Sequence, residues 1–387
     1  MSYMAQRVRG FGTTIFAEMT ALANQHQAVN LGQGFPNFPG PDFLKAAAIE
    51  AIQSDINQYA PGIGRPALRQ AIAQKMGRQY GLSVNPDTDV TVTVGATEAI
   101  FSAILGLVDP GDEVIVFEPY YDSYLPAIQF AGGVPKLYPL RPPNWAIDPA
   151  GLAALFSDNT KLIIINTPHN PTGKVFSADE LALIAELCRR HDVIAVTDEV
   201  YEHIVFDGLP HVCMASLPGM AERTVTISSA GKTFSMTGWK VGWAVAPPEL
   251  SRALFRVHQF TSYCGAAPLQ EAVAVALHSN GDFYAELTAF YQESRDFLLG
   301  VLAEVGLNPI TPQGTYFIIC DIGPLGFADD VAFCRYLTTE IGVAAIPPSA
   351  FYLNPADGAS LARFAFCKSR DVLEEAARRL ARLREAR

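Results

Sequence analysis

The chain has 387 residues, of which 49% are hydrophobic and 17% charged, and its formal net charge is −11. This composition is typical of a globular protein, and the length predicts two domains with room for a large buried sheet. The acidic balance, without a long run of like charges, argues against a nucleic acid or an anionic membrane surface as partner.

The N-terminus and the cysteines exclude further classes. Residues 1–7 lack the apolar core of a signal peptide, and no apolar run approaches the length of a membrane span. The six cysteines are scattered without a Cys-x-x-Cys pair, which indicates neither a zinc site nor a disulfide framework. We therefore expect a cytoplasmic protein without a metal site.

The first part of the chain predicts two helices separated by a broken segment. Residues 8–30 indicate a helix, followed by the Gly/Pro-rich stretch Asn30–Pro39 and a second helix over 41–54. Farther on, Gly62–Ala67 loosely matches a dinucleotide-binding pattern. No strand precedes this pattern and a proline interrupts it, so we reject a nicotinamide site there.

A strand-to-helix junction at residues 89–101 indicates an anion site. Asp89–Val94 predicts a strand, and Gly95–Phe101 predicts the start of a helix. Ala96 and Thr97 would then offer unpaired N–H groups at a helix N-terminus, which suits a phosphate. An ordinary strand-to-helix turn is the alternative for this motif taken alone.

Apolar, β-branched runs and helical segments then alternate along the chain. The runs lie at residues 113–117, 161–165, 193–197 and 224–227. This alternation predicts a mainly parallel sheet covered by helices on both faces, and hence an α/β fold. In such sheets, ligands bind at the carboxyl ends of the strands.

Candidate binding groups follow the predicted strands. They are Gly95 to Thr97, Tyr121, Asn170, Asp198 with Tyr201, and Lys232. Each of them could be a turn residue when taken singly. Because the carboxyl ends of parallel strands meet at one edge of a sheet, five such groups together predict a binding site.

Lys232 has the most distinctive chemistry of these candidates. Small residues surround it after the run at 224–227, so we expect it on a tight loop past the strand end. Most isolated lysines are solvated loop residues. Partial burial or a cationic neighbour such as Lys240, however, lowers the pKa of an amine enough for a Schiff base to form with a carbonyl.

The other candidates suit an aromatic ring that carries a phosphate. The carboxylate of Asp198 can keep a ring nitrogen protonated, and Tyr201 and Asn170 can hydrogen-bond a ring oxygen. Tyr121 can stack on the ring, while the helix N-terminus and Ser229 can bind the phosphate. With a lysine for the aldehyde, the ligand so described is pyridoxal 5′-phosphate (PLP), which acts as an electron sink.

Several motifs point to one known family. They are Asn170-Pro171-Thr172-Gly173, Asp198-x-x-Tyr201, Ser229-x-x-Lys232 with Lys240, and Arg363-Phe364. With these motifs the chain resembles, over nearly its whole length, the class I/II aminotransferases of PLP-dependent transferase fold type I. Three further motifs are closest to the subgroup of kynurenine/glutamine (cysteine-S-conjugate) and methionine aminotransferases: Gln33-Gly34-Phe35-Pro36, Glu118-Pro119-Tyr120-Tyr121-Asp122 and Gly314-Thr315-Tyr316-Phe317.

The resemblance implies a domain plan and a homodimer. A large PLP-binding domain with a mainly parallel central sheet would span residues 41–280, and a smaller α+β domain would combine residues 1–40 and 281–387. The two active sites would be shared between the subunits, with Tyr59 and Tyr263 reaching the neighbour's site. Ordinary core or interface packing is the alternative for both tyrosines.

The resemblance also implies a role for each matching residue. Lys232, Asp198 and Tyr201 would be catalytic. The cofactor-binding residues would be Tyr59, Ala96, Thr97, Tyr121, Asn170, Asp198, Tyr201, Ser229, Lys232 and Lys240. The substrate-binding residues would be Phe16, Gly34, Phe35, Asn170, Tyr263 and Arg363, with the arginine fork holding the substrate carboxylate.

The implied reaction is the ping-pong transfer of an amino group from an L-amino acid to a 2-oxo acid. Phe16, Phe35, Tyr263 and Tyr316 indicate an apolar pocket, and no second arginine stands in a clear family position for a distal carboxylate. We therefore expect methionine, glutamine, aromatic amino acids or kynurenine as substrates rather than aspartate. The chain departs from many relatives at Lys240, where they carry arginine, and from some at Phe16, where they place tryptophan.

Two other functions remain open at this point. The same residues could support β-elimination from cysteine-S-conjugates, which is a lyase reaction. A regulatory binding protein built on an aminotransferase-like domain is disfavoured, because the chain is acidic and shows no DNA-binding module.

Overall fold

A computed structural model describes residues 3–278 and 282–385 of the chain. Within these residues it contains twelve strands. In chain order, β1 to β12 are Val29–Asn30, Val90–Val94, Glu113–Glu118, Val134–Pro139, Thr160–Asn166, Ile194–Asp198, Thr224–Ser229, Val241–Val245, Asn308–Ile310, Phe317–Asp321, Val343–Ala344 and Leu361–Ala365.

The same residues form fourteen α-helices. In chain order, α1 to α14 are Ile15–Gln25, Asp42–Gln53, Pro66–Tyr80, Gly95–Leu107, Tyr124–Ala131, Pro149–Ala153, Ala178–His191, Ala230–Thr233, Pro248–Thr261, Ala267–Leu277, Asp282–Glu304, Asp330–Tyr336, Arg370–Leu380 and Arg382–Glu385. No described helix combines the length and the apolar character that a membrane crossing requires.

The largest sheet has seven strands in the order β2-β8-β7-β6-β5-β3-β4. Every pairing is parallel except those of β8, which runs antiparallel to both β2 and β7. The predicted α/β fold with a mainly parallel sheet is therefore confirmed. The sequence did not predict β4 or β8. Residues 230–240, between β7 and β8, are too few for a parallel crossover, which needs about a dozen residues or more, so the chain returns antiparallel.

Helices cover both faces of this sheet because its strands are apolar on both sides. Leu162 and Ile164 of β5 pack with α4 and α5 on one face, whereas Ile163 and Ile165 pack with α7 on the other. Alternate residues of a strand point to opposite faces, so a continuous apolar run can be buried twice. Helices α2, α3 and α10 cover the β2–β8 end of the sheet.

A second, smaller body surrounds the three-stranded antiparallel sheet β12-β10-β9. Helices α1, α11, α12 and α13 contribute to its core. The N-terminal segment joins it through β1, which pairs in parallel with β11. This arrangement supports the division into 41–280 and 1–40 with 281–387, which stays a prediction. Residues 1–2, 279–281 and 386–387, at the predicted boundaries, lie outside the described residues.

The predicted helix at residues 8–30 is wrong in extent. Helix α1 begins only at Ile15, where the side chain of Thr14 accepts a hydrogen bond from the N–H of Ala17 at 3.3 Å. The helix ends at Gln25, and Val29–Asn30 forms strand β1 instead. Strand pairing has overridden local helix preference, which is a weak determinant by itself.

A buried ion pair ties α3 to the segment after β6. The Lys75 ammonium lies 2.5 Å from Glu202, and both side chains are almost fully buried. The hydroxyls of Tyr80 and Ser228 donate to the same carboxylate. Burial is the largest single effect and raises the pKa of Glu202, but the charge and hydrogen bond of Lys75, together with His203 and His211, hold the pKa below its ordinary value.

We expect Lys75→Met to lower the free energy of unfolding by about 3–5 kcal/mol, because Glu202 would keep its burial but lose its cation. Urea unfolding followed by circular dichroism measures this loss. The control Lys45→Met removes a lysine whose partner Asp42 is exposed, and its unfolding curve should stay close to that of the unmodified protein. Equal losses in the two variants would contradict the role of the buried pair.

Candidate active site

A cavity of ≈ 370 Å³ opens at the carboxyl ends of the parallel strands. Twelve of the fifteen predicted site residues line it: Phe16, Gly34, Ala96, Thr97, Tyr121, Asn170, Asp198, Tyr201, Ser229, Lys232, Lys240 and Arg363. The other three, Phe35, Tyr59 and Tyr263, do not line it. Most of the predicted residues therefore lie together at the carboxyl ends of the parallel strands, and Arg363 joins them from the three-stranded sheet.

Asp198, the last residue of β6, is the buried carboxylate of the cavity. Its Oδ2 accepts a hydrogen bond from the Tyr124 hydroxyl at 2.8 Å. Its backbone carbonyl accepts from the Asn166 side chain at 2.8 Å, which fixes the strand end. Burial raises the pKa of Asp198 to about 6, although the hydrogen bond from Tyr124 opposes that rise. A nearby cation would restore the charged form.

Lys232 lies on the short helix α8 rather than on the loop that the sequence predicted. The small residues that follow β7 let the chain turn into a helix at once, at Ala230. The Nζ of Lys232 donates to the Tyr316 hydroxyl at 2.7 Å and to the Gly34 carbonyl at 3.3 Å. Burial lowers the pKa of Lys232 to about 8; Asp198 opposes this effect and the cations Arg363 and Lys240 reinforce it.

The N-terminus of α4 forms a small cradle beside Lys240. Gly95 opens the helix with a φ of +78°, and a Cβ placed there would lie 3.1 Å from the Lys240 Nζ. The N-cap residue Val94 makes no side-chain hydrogen bond to this helix end, and its own N–H donates to the Glu98 carboxylate. The first N–H groups of α4, together with Ser229 and Lys240, therefore suit a doubly charged anion. This placement supports the predicted phosphate site.

Arg363, in strand β12, brings a buried guanidinium to the cavity with 1% of its surface exposed. It donates to the Asn170 Oδ1 at 3.1 Å and to the Gly32 carbonyl at 2.9 Å, while its Nε has no hydrogen-bond partner in the part of the chain that the structure describes. Among the described residues, no carboxylate oxygen lies within 4.0 Å of its nitrogens. Burial lowers its pKa to about 10. The carboxylate of Asp122 lies in the same cavity and favours the charged form of Arg363 without a direct ion pair. A buried guanidinium in this position is suited to an anionic ligand.

Tyr121 and Tyr201 are the two tyrosines that line the cavity within the described residues. The ring of Tyr121 meets that of Tyr124 edge-on at 5.6 Å between centroids. Tyr201 is 3% exposed, and burial raises the pKa of its hydroxyl above the ordinary value. Its ring is edge-on to Tyr316 at 5.2 Å. Both phenols therefore stay protonated and can donate to a ligand.

The three predicted residues outside the cavity are exposed. Tyr59 is 86% and Tyr263 49% exposed, and their rings meet edge-on at 5.8 Å. Phe35 is 49% exposed, with the Lys368 ammonium 4.9 Å from its ring centre. Their predicted roles in binding cofactor or substrate remain predictions.

Three contacts of the site were missed from the sequence. Tyr124 and Tyr316 make direct hydrogen bonds to Asp198 and Lys232. Tyr124 was not predicted as a site residue, and Tyr316 was predicted only as part of an apolar substrate pocket. Asp122, which also lines the cavity, is a second carboxylate there. Tyr124 lies three residues after the predicted Tyr121, and its N–H donates to the Tyr121 carbonyl across a turn that leads into α5. A second tyrosine so close to a predicted site residue could have suggested it.

The residues of the cavity fit PLP. The cradle at Gly95 matches a phosphate, the Asp198 carboxylate matches a ring nitrogen, and Lys232 offers an amine of lowered pKa for an aldehyde. The unpartnered Nε of Arg363 matches the carboxylate that amino acids and 2-oxo acids share. The described residues contain no group of three side chains able to hold a metal ion.

Known proteins are similar to this chain in sequence and fold. The model of the family described as aminotransferase class I and II matches residues 26–380. The probable N-succinyldiaminopimelate aminotransferase DapC of Mycobacterium tuberculosis is 48% identical over 98% of each chain. The methionine aminotransferase of Escherichia coli K12 is 46% identical over 96% of each chain. The solved structure of N-succinyldiaminopimelate aminotransferase from M. tuberculosis superposes with a TM-score of 0.95 at 49% identity, covering 98% of this chain and 100% of that one.

The anion cradle can be tested without substrate. Inorganic phosphate should bind the cofactor-free protein, and Lys240→Met should weaken binding by roughly fivefold to tenfold, because one charge-assisted interaction is lost. Isothermal titration calorimetry at low salt measures both affinities. Lys45→Met, which removes a distant surface lysine, should bind phosphate as the unmodified protein does. An unchanged affinity in Lys240→Met would exclude that lysine from the cradle.

Proposed function

Since the chain belongs to the class I and II aminotransferases, we propose which of its residues carry the reaction and which substrates it accepts. The reaction class itself follows from the family: the protein is a PLP-dependent aminotransferase that moves an amino group from an L-amino acid to a 2-oxo acid. PLP, when bound, supplies an aldehyde that exchanges amines and a ring that takes up the electrons of a broken Cα–H bond. The chain's own residues position these groups and move the protons.

The cofactor-binding roles rest on the arrangement of the cavity. Asp198 would keep the ring nitrogen protonated. The positive charge of the protonated nitrogen would in turn stabilise the charged form of this buried carboxylate. Tyr201 and Asn170 would hydrogen-bond the ring oxygen, and Tyr121 would stack on the ring. The N–H groups of Ala96 and Thr97, with Ser229 and Lys240, would hold the phosphate. Lys232 would hold the aldehyde carbon covalently.

Lys232 is also the base and acid of the proposed reaction. Its pKa of about 8 leaves a fraction of the amine neutral near pH 7, so Nζ can accept the proton from the substrate Cα. The protonated amine is in turn an acid that can return this proton. Burial supports both roles, because it brings the two protonation states close in energy.

Arg363 would bind the carboxylate common to donor and acceptor. Its Nε is unpartnered and its present partners, Asn170 and the Gly32 carbonyl, are neutral, so a carboxylate competes for it well. A single arginine can therefore orient the amino acid in one half-reaction and the 2-oxo acid in the other. The observation that carries the proposal is this convergence of Lys232, Asp198 and Arg363 in one cavity.

We expect donors with uncharged side chains. The cationic residues lining the cavity are Lys232, Lys240 and Arg363, within the described part of the chain, and each has a role that leaves none for a distal carboxylate. Phe16 lies 5.1 Å from the Arg363 guanidinium and offers an apolar wall. We propose methionine, glutamine, aromatic amino acids and kynurenine as donors. Apolar pockets discriminate one methylene by only about 1–3 kcal/mol, so the selectivity should be broad.

One spectrum tests the proposed function. Adding methionine without an oxo acid should convert the bound cofactor from its aldehyde form to its amine form, seen as a loss of visible absorption, with no ammonia released. Lys232→Ala is the control and should show no turnover. A panel that includes aspartate and N-succinyldiaminopimelate then ranks the donors. Ammonia release with the absorption retained would instead indicate a cysteine-S-conjugate β-lyase, and a leading rate with aspartate would refute the substrate proposal.

We further propose that the protein is a cytoplasmic homodimer. All six cysteines are free in the structure, five of them buried, which suits a reducing compartment. Tyr59, Tyr263 and Phe260 are exposed aromatic residues, and Phe260 is 87% exposed. Aromatic side chains are enriched at protein interfaces. We place this surface against a second copy, so that Tyr59 and Tyr263 reach the partner's cavity.

Mixed dimers test the shared sites. Lys232→Ala and Tyr59→Ala should each be nearly inactive alone. A dimer of one copy of each contains one site with both residues intact, so refolding an equal mixture should restore activity to a substantial fraction of the unmodified level. An active monomer in analytical ultracentrifugation, or no recovery in the mixture of two folded variants, would contradict shared sites.

A further inference from the structure

The amine of Lys232 rests in a small polar site made by two groups from outside the large sheet. One is the hydroxyl of Tyr316, which precedes β10, and the other is the backbone carbonyl of Gly34. The Nζ lies 2.7 Å from the Tyr316 oxygen and 3.3 Å from the Gly34 oxygen. The two oxygens are themselves 2.6 Å apart. The three polar atoms therefore form a closed triangle.

Hydrogen-bond chemistry fixes the direction of each bond in this triangle. A carbonyl can only accept, so the single proton of the Tyr316 hydroxyl goes to Gly34. The Tyr316 oxygen must then accept from Lys232, and the Gly34 oxygen accepts as well. A neutral amine has two N–H bonds, and both are used. The remaining position on Nζ, which holds the lone pair or the third proton, is left for the cavity.

The rest of the structure holds the two acceptors in place. The Lys368 ammonium donates to the carbonyls of Gln33 and Phe35, on either side of Gly34, at 3.0 and 2.9 Å. A Cβ at Gly34 would lie 2.6 Å from the Phe317 ring, so only glycine allows this approach. Tyr316 is 1% exposed and packed against the rings of Tyr201 and Phe317. Both acceptors are therefore held in fixed positions relative to the Lys232 amine.

We propose that Tyr316 and the Gly34 carbonyl form a docking site for the amine of Lys232 whenever that amine is not covalently bound, and that Tyr316 is thereby a positioning residue for the reaction. This inference rests on the proposed function, in which Lys232 alternates between a covalent bond and a free amine. The docking site occupies both N–H bonds and presents the lone pair, so each time Lys232 is released it is oriented as a base rather than left to rotate.

Loss of the Tyr316 hydroxyl should change the pKa of Lys232 in a defined direction. An acceptor stabilises the ammonium form more than the neutral amine, so Tyr316→Phe should lower the pKa of Lys232 further. The other groups facing Lys232 are Asp198, Tyr201, Lys240, Arg363 and Cys367. Of these, the Tyr201 hydroxyl also interacts with that of Tyr316 and loses this neighbour in the variant. The Gly34 carbonyl can compensate in part, since it no longer receives the tyrosine proton. We expect a fall of roughly half a pH unit to one pH unit.

The measurement uses the cofactor-free protein. The rate of acetylation of Lys232 is followed against pH by mass spectrometry of its peptide, which gives the pKa of the amine. Tyr291→Phe is the matched control, because Tyr291 is buried, its ring lies 5.7 Å from that of Tyr316, and its hydroxyl meets Ser235 rather than Lys232. The pKa of Lys232 should fall in Tyr316→Phe and stay near the unmodified value in Tyr291→Phe.

A second measurement separates orientation from basicity. With cofactor bound, kcat of Tyr316→Phe should fall by roughly tenfold or more although a larger fraction of its amine is neutral, because the amine has lost its fixed direction. Equal pKa values in the two variants would overturn the proposal, as would an unchanged kcat. If Tyr316→Phe does not fold, 3-fluorotyrosine at position 316 keeps the shape and weakens the acceptor; the same fall, reduced in size, is expected, and its absence would overturn the proposal.

Failure of the proposed function would look different. Borohydride treatment of the unmodified holoenzyme should fix the cofactor to Lys232. If the cofactor is not found on that lysine, the assignment of Lys232 fails, and the docking proposal fails with it. If the cofactor is on Lys232 but the acetylation profiles coincide, only the docking proposal fails.

Discussion

The structure depends on keeping three charged groups out of bulk water around one cavity. An amine, a guanidinium and a carboxylate from Lys232, Arg363 and Asp198 meet there, and burial shifts the pKa of each toward its neutral form. Burying unpaired charge is costly, so such groups persist where ligands supply the missing partners. These groups are hydrogen-bonded to neutral partners, and neither Lys232 nor Arg363 makes a direct ion pair within the described residues, so the cavity is suited to a cofactor and a substrate that supply opposite charge.

The two bodies of the chain share the work of holding these groups. The large sheet delivers Asp198 and Lys232 from the ends of adjacent strands, β6 and β7. The smaller sheet delivers Arg363 from β12, and the segment between α1 and α2 contributes carbonyls to both cations, Gly32 to Arg363 and Gly34 to Lys232. A movement of one body against the other would therefore change the surroundings of both cations at once.

The sequence predicted the site residues that follow strands of the large sheet. It missed contacts made by residues from segments far away in the chain. Asp198, Asn170 and Lys232 follow apolar runs, and their convergence needs only the geometry of a parallel sheet. Tyr316 lies far from Lys232 in sequence, and no periodicity relates the two, so only the packing of the small sheet onto the large one reveals their contact. The loop predicted at Lys232 is a helix, and β8 was missed, because both depend on how the chain returns after β7 rather than on local pattern.

The segment from Asp198 to Glu202 shows how closely the site is tied to the core. Asp198 and Tyr201 line the cavity, whereas Glu199 and Glu202 turn away from it toward His211 and Lys75. The segment therefore has two faces, one toward the cavity and one toward the core, and the sequence spacing decides which residue lies on which face. A point substitution changes one face at a time, but inserting or deleting a single residue would turn a glutamate toward the cavity and Asp198 away from it. We therefore expect this segment to tolerate some substitutions but no change in its length.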